Sequence, residues 1–251
     1  MKNFTTNHTN SHAHGPLLSV SGLSCSYATR AWGIFGKKEI KPVLNDVNFE
    51  ISKGEIFGLT GESGCGKSTL VKCILGQIGY QGEIIIKNRK WNKNPDYRER
   101  RKRAFEVQAV FQNSGASLNP VKTIGWILEE PLKVHNLGAA AERRFKVDYI
   151  LDQVGLDSSY KKRKPHELST GQKQRVSIGA ALMLNPSLII ADEPVSALDV
   201  SVGAQILNLF RELNHQTGLT LFFISHNQDQ VCYLCNCTAL LENGRIIGQN
   251  M

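Results

Sequence analysis

No stretch of the chain reaches the ~18 consecutive apolar residues that a membrane-crossing helix requires, so the polypeptide is not expected to span a bilayer by itself. The N-terminal segment MKNFTTNHTNSHAHGP has no apolar core and is not expected to act as a secretory signal peptide; residues 1–15 read as a mobile polar tail. No internal repeat is present. The hydrophobic (41%) and charged (21%) fractions are those of an ordinary globular chain, which excludes disordered, collagenous and low-complexity architectures. With 251 residues the chain can bury about three quarters of its unfolded surface in a sizeable core.

Metal-ligand chemistry is thin as well. The run CYLCNC brings Cys232, Cys235 and Cys237 close in sequence, but no second ligand pair follows it. His8, His12 and His14 cluster in the tail without a cysteine or carboxylate beside them. Neither group is expected to hold zinc. The six cysteines, lacking an export signal, are expected as reduced thiols in a cytoplasmic setting.

What the chain does have is positive charge, unevenly spread. Its formal net charge is +8, and residues 87–103 hold nine Lys or Arg against only Asp96 and Glu99. A second run spans Lys161 to Lys164. Such patches attract anionic surfaces. They read first as a solvated helix face with a loop, then as proximity to an anionic membrane, and no nucleic-acid partner is expected.

Apolar runs of strand length alternate with helical patterns. VLNDVNFEI (43–51), EIFGLTG (55–61), EIIIK (83–87), VQAVFQ (107–112), SLIIADEP (187–194) and LTLFFIS (219–225) read as strands. Residues 67–76, 123–135, 139–154, 170–184 and 201–216 read as helices, with Pro131 expected to kink or end the second of them. Strand–helix alternation of this kind predicts an α/β fold with a parallel sheet covered on both faces. The helical stretch from about 113 to 168 interrupts it and reads as an insertion.

GESGCGKST (61–69) follows a strand and opens a helix, and it fits G-x-x-x-x-G-K-[ST]. The loop residues Gly61, Glu62, Ser63, Gly64, Cys65 and Gly66 turn backbone N–H groups inward around phosphates, and the following helix adds its positive end. Lys67 is expected to reach the β- and γ-phosphates, Ser68 to ligate Mg²⁺, and Thr69 to add a phosphate contact. Asp192 and Glu193 end a buried strand, at the edge where ligands of open α/β sheets bind. Asp192 is expected to hold Mg²⁺, leaving Glu193 to polarise the attacking water.

Five further segments stand in order around these two: Tyr27, FQNSGASLNP with Gln112, LSTGQKQR (168–175), SALD (196–199) and ISHN with His226. With them, residues ~17 to ~248 resemble the ATP-binding subunits of ABC transporters. The resemblance implies a P-loop (RecA-like) core with an antiparallel β subdomain and an inserted helical subdomain, occupying residues 16–251. It implies that Tyr27 stacks on adenine, that Gln112 contacts Mg²⁺ or the attacking water, and that His226 contacts the γ-phosphate. Ser169, Gly171 and Gln172 would complete the ATP site of a partner subunit across a head-to-tail dimer, with Asp199 connecting the two sites. ATP and Mg²⁺ are the implied cofactors.

The wording GESGCGKSTL, FQNSGASLNP and ADEPVSALDVS, with the insertion WGIFGKKE (32–39), is similar to the peptide/nickel importer group, and to the second of its two ATPase subunits. That implies a heterodimer with a second ATPase, two membrane permeases, an extracytoplasmic binding protein, and a location on the cytoplasmic face of the inner membrane. The implied cargo is a short peptide, nickel or a metal chelate. A soluble ABC-type ATPase without a permease is the alternative. Three departures from the group stand out. Thr170 replaces the usual glycine, which is harmless if that position is helical. Ala180 stands where arginine is usual, and the chain stops at Met251 where many members carry a longer tail.

Overall fold

The computed structural model describes residues 15–30, 38–112 and 114–250. The tail histidines and residues 31–37 of the WGIFGKKE region lie outside the described residues. Strands β1 (Leu18–Arg30) and β2 (Lys38–Ile51) pair antiparallel, and β3 (Ile56–Thr60) leads through the glycine loop into α1 (Lys67–Ile74). The strands β4 (Gln81–Ile86) and β5 (Arg89–Lys90) join the first pair in a four-stranded antiparallel sheet of order β2-β1-β4-β5.

Helix α2 (Tyr97–Glu106) carries the basic segment. Asp96 caps it by accepting from the Glu99 amide at 2.8 Å. Arg98 and Arg100 are exposed, as the charge run implied, and Arg101 is half-buried. Arg103 is the exception: its guanidinium is buried over the Trp91 ring, 4.6 Å from the centroid.

Strand β6 (Val107–Val110) opens the second half, followed by α3 (Ile124–Val134), α4 (Ala140–Gln153) and α5 (Thr170–Leu182). Of the two expectations for Pro131, that it kinks or that it ends the first of these helices, the second is not met. Helix α3 runs three residues past it, because proline supplies a helical φ and forfeits only one backbone bond. Then come β7 (Leu188–Asp192), α6 (Val200–Thr217), β8 (Thr220–Ile224), α7 (Gln228–Leu234), β9 (Cys237–Glu242) and β10 (Arg245–Asn250). The second sheet has the order β10-β9-β3-β8-β7-β6, parallel from β9 to β6, with β10 antiparallel at its edge.

Both faces of this sheet are sealed. Along β8, Leu221 and Phe223 enter the core shared with α3 to α6, while Phe222 and Ile224 enter the core shared with α1 and the antiparallel sheet. Strands β7 and β8 are buried at every position, which explains their unbroken apolar runs. Phe49, Phe57 and Phe222 lock the two sheets together with ring centroids 5.5–5.8 Å apart. Among the described residues no helix is long and apolar enough to cross a membrane. Truncating Phe57, which is fully buried in this cluster, to alanine is expected to lower the unfolding free energy by about 3–5 kcal/mol. Urea titration monitored by circular dichroism would measure it, and a loss below 1 kcal/mol would show that the cluster does not join the sheets.

Candidate functional site

Four adjacent parallel strands deliver their C-terminal ends to one place. The loop after β3 supplies the glycine-rich turn, β7 ends in Asp192, β8 ends just before His226, and β6 ends two residues before Gln112. A cavity of about 470 Å³ opens there. Ser63, Gly64, Gly66, Lys67, Ser68 and Thr69 form one wall, and Gln112, Asp192, Glu193 and His226 form the other. A larger cavity, of about 840 Å³, lies at the opposite end of the strands beside Pro186 and Gly218, and none of these residues faces it.

The loop is shaped by a close approach. Gly66 precedes α1 with φ 115°, and a Cβ there would meet Leu44 Cδ2 at 2.7 Å. Only glycine suits both the angle and the space. This approach also brings Val43 of β2 to the cavity wall. Nothing in the sequence marked Val43, because its role comes from the sheet folding over the loop. The Lys67 ammonium is nearly buried and donates to the Gly61 and Glu62 carbonyls, both at 2.7 Å, with Cys65 Sγ at 3.9 Å. Glu62, Gly61 and Cys65 thus shape the loop from behind rather than line the cavity.

Ser68 Oγ donates to Asp192 Oδ2 at 3.3 Å. Burial pushes the Asp192 carboxyl above the ordinary carboxylate range; the Glu193 charge adds to this, while the Ser68 hydrogen bond and the Lys67 charge oppose it. A buried, desolvated carboxylate beside a serine hydroxyl is a hard-oxygen donor pair that suits Mg²⁺ and would be relieved by it.

Glu193 holds a left-handed backbone, φ 53°, which costs a non-glycine residue about 1 kcal/mol or more. Its amide donates to the Ile224 carbonyl at 2.9 Å, and the Ser196 hydroxyl donates to its carbonyl at 3.0 Å, so both neighbours enforce the turn. The turn aims the carboxylate at His226, whose Nδ1 lies 2.6 and 2.8 Å from the two oxygens. An ionised carboxylate only accepts, so Nδ1 carries a hydrogen. The histidine side chain is 62% exposed and the glutamate 16%, which places His226 at the mouth and Glu193 inside.

The remaining expected residues stand elsewhere. Tyr27 is a partly exposed residue of β1 paired with Lys41, and does not line the cavity. Ser169, Gly171 and Gln172 begin α5, and Asp199 begins α6. Ser169 Oγ accepts from the Gln172 amide at 3.3 Å, while Gln172 Oε1 accepts from the Ser169 amide at 3.0 Å, a reciprocal cap. Asp199 accepts from the Val202 amide at 2.9 Å, a bond that holds its carboxyl below the usual range. Thr170 is the first helical residue of α5 with ordinary φ, so its side chain is harmless there. Gly171 is not replaceable in the same way, since a Cβ would stand 2.4 Å from Val202 Cγ1. Ala180 lies partly buried against the helical core. Cys232 is exposed on α7, and burial raises the Cys235 and Cys237 thiols to about 12 and about 11.

A glycine loop between strand and helix, with a buried aspartate facing its serine, defines a P-loop nucleoside triphosphatase. Comparison with known proteins narrows the class. The ABC transporter family model matches residues 44–196. The dipeptide transport ATP-binding protein DppF of Haemophilus influenzae is 42% identical over 239 residues, spanning 92% of this chain and 71% of that protein. The oligopeptide transport ATP-binding protein AppF of Bacillus subtilis is 42% identical over 218 residues, 86% of this chain and 66% of that one. Among solved structures, the dimeric post-hydrolysis state of the ATP-binding cassette MJ0796 bound to ADP and Pi superposes with a TM-score of 0.79 at 31% identity, covering 93% of this chain and 97% of that chain. The cbiO1 subunit from Clostridium perfringens, part of the ABC transporter complex cbiONQ, gives 0.82 at 27%, covering 94% and 89%. The chain belongs to the ABC transporter family, and it is an ATPase of that family.

The raised Asp192 has a consequence that can be measured. The folded chain holds this proton more tightly than the unfolded chain, so its contribution to stability declines as pH rises from about 4 through the folded value. In EDTA and without nucleotide, Asp192→Asn is expected to unfold at higher denaturant than the parent at pH 7, and the gap is expected to close near pH 4. Equal midpoints at pH 7 would contradict the desolvated carboxylate.

Proposed function

We propose that this chain is the ATP-hydrolysing subunit of a membrane importer of short peptides. The observation that carries the reading is the convergence of Lys67, Ser68, Asp192, Glu193, Gln112 and His226 on one cavity at the sheet edge. Dipeptide and oligopeptide transport proteins among the relatives support a peptide cargo over nickel or a metal chelate.

The roles follow from chemistry. The inward amides of 63–66 and the N-terminus of α1 cradle the β-phosphate. Lys67 exchanges its two carbonyl partners for phosphate oxygens, which the short reach from Gly61 and Glu62 allows. Ser68 and Asp192, with Gln112, would hold Mg²⁺, which when bound would neutralise the charge developing on the β- and γ-phosphates. Glu193 accepts the proton of the attacking water, and His226, bonded through Nδ1 to the Glu193 carboxylate, holds that carboxylate in place and contacts the γ-phosphate. Tyr27, on β1 and outside the cavity lining, is read as the adenine platform.

Ser169, Gly171 and Gln172 lie outside this cavity because they serve the site of a second ATPase subunit, with Asp199 between the two. The family's dimeric cassettes support that arrangement. The second ATPase is a different chain, so that the pair is a heterodimer. It docks on two permeases at the cytoplasmic face of the inner membrane and is fed by an extracytoplasmic binding protein. The helical stretch 113–168 receives the permeases. Phosphoryl transfer demands mainly positioning, so a site completed only when subunits close ties chemistry to motion.

Two variants test the assignment. Glu193→Gln is expected to bind ATP as tightly as the parent while hydrolysing it about 10²–10⁴-fold more slowly, and Lys67→Ala to lose ATP affinity. Fluorescent-nucleotide titration and phosphate release measure both. Parent-like hydrolysis in the glutamine variant would assign the base elsewhere, and undiminished binding in the alanine variant would overturn the cradle.

A further inference from the structure

A 3-10 turn, Ser158–Lys162, lies near the end of the helical stretch, before α5, and the ATP cavity does not use it. From it the Tyr160 hydroxyl reaches α5 and accepts a hydrogen bond from Gln172 Nε2 at 2.8 Å. Gln172 is thereby held at both ends of its amide: the nitrogen on Tyr160, the oxygen on the Ser169 backbone amide. A glutamine without the first bond rotates about its last torsion almost freely, and the cap at Ser169 loosens with it.

Tyr160 is itself fixed. Its ring packs on the helical core and lies under the Arg163 guanidinium, 4.1 Å from the centroid. The Arg163 amide donates to the Tyr160 carbonyl at 3.0 Å. The Arg163 carbonyl in turn accepts from the Ile124 amide at 2.9 Å, one of the orphan donors at the start of α3. The two elements are pressed together there, since a Cβ on Gly125 would stand 3.1 Å from the Lys161 carbonyl oxygen. A continuous set of bonds therefore runs from the start of α3, the first long helix after Gln112, through Arg163 and Tyr160 to Gln172 and Ser169.

We propose that Tyr160 is a positioning residue for the neighbouring subunit's ATP site: it holds Gln172 and Ser169 in register and ties them to the start of α3, so that displacement of the helical stretch displaces the residues offered to the neighbour. This rests on the reading of Ser169–Gln172 as contributors to a partner's site. The group involved touches no nucleotide in its own chain, so its effect is displaced to the other polypeptide.

The test uses the assembled transporter in membranes, with a size tag on the second ATPase so that the two ATPase chains separate on a gel. Nucleotide is trapped with vanadate and radiolabelled 8-azido-ATP and cross-linked by light. Tyr160→Phe removes only the hydroxyl. Labelling of the second ATPase chain is expected to fall about 2- to 10-fold, the range that one net hydrogen bond is worth. Labelling of the variant chain, and binding of a fluorescent ATP analogue to it in isolation, are expected to stay at the parent level. Unchanged labelling of the second chain would overturn the proposal. So would an equal fall on both chains accompanied by a lower melting temperature, the mark of a merely structural tyrosine. Ser169→Arg separates the two layers of the argument. If this bulky substitution also leaves labelling of the second chain intact, the partner-site reading itself fails; if it abolishes that labelling while Tyr160→Phe does not, only the positioning role is lost.

Discussion

Both faces of the central sheet are sealed by apolar side chains, and that constraint governs where charge can stand. Along β7 and β8 every residue is buried, so an ionised group inside either strand would be uncompensated. Charge stands only at the last ladder pair or beyond it. Asp192 occupies that limit: it still pairs with Ile224 in the ladder yet reaches the Ser68 hydroxyl. Glu193 is one residue beyond, and His226 two residues beyond Ile224. The chemistry collects at this edge because the sheet leaves it nowhere else, and the glycine loop after β3 arrives at the same edge by the parallel register.

The electrostatics of that edge are deliberately unbalanced. Asp192 is desolvated and pushed toward its neutral form, and Lys67 is nearly buried with only carbonyls and a thiol around its ammonium. Neither is neutralised by the other through direct contact. A ligand carrying phosphate and a divalent cation supplies both missing partners at once, phosphate for the lysine and metal for the aspartate. The left-handed Glu193 is the accompanying strain, held by bonds from two directions. Such strain persists where the surroundings over-determine it, as they do here.

These features differ in how far the sequence carried them. The parallel strands were legible because two-faced burial leaves unbroken apolar runs, and the glycine loop because phosphate binding demands its spacing. Strands β9 and β10 were not read from periodicity: β10 is an edge strand with the mixed run RIIGQN, and edge positions carry no alternation that a core enforces. Helix α7 is only seven residues long, too short for a helical period. Pro131 does not end α3, because a single lost bond near the end of a packed helix is cheaper than a break. Arg103 was counted with its solvated neighbours, and only the fold puts Trp91 beneath it. Val43 had no signal at all, since its position depends on the antiparallel sheet closing over Gly66.

The group Ser169, Gly171, Gln172 and Asp199 is legible in a different way. Inside one chain these residues are accounted for by helix capping and close packing, and capping alone would tolerate other residues. Ser169 and Gln172 cap α5 reciprocally, and many sequences satisfy that pattern. Gly171 is more restrictive: it presses on Val202, whose amide is held by Asp199. The turn that starts α5 and the turn that starts α6 therefore meet closely, with the Val202 side chain packed directly on the Gly171 backbone. Val200, beside Asp199, is 92% exposed, an apolar side chain with no use for water. The glycine-tight packing thus joins the two helix starts, with the exposed Val200 beside them.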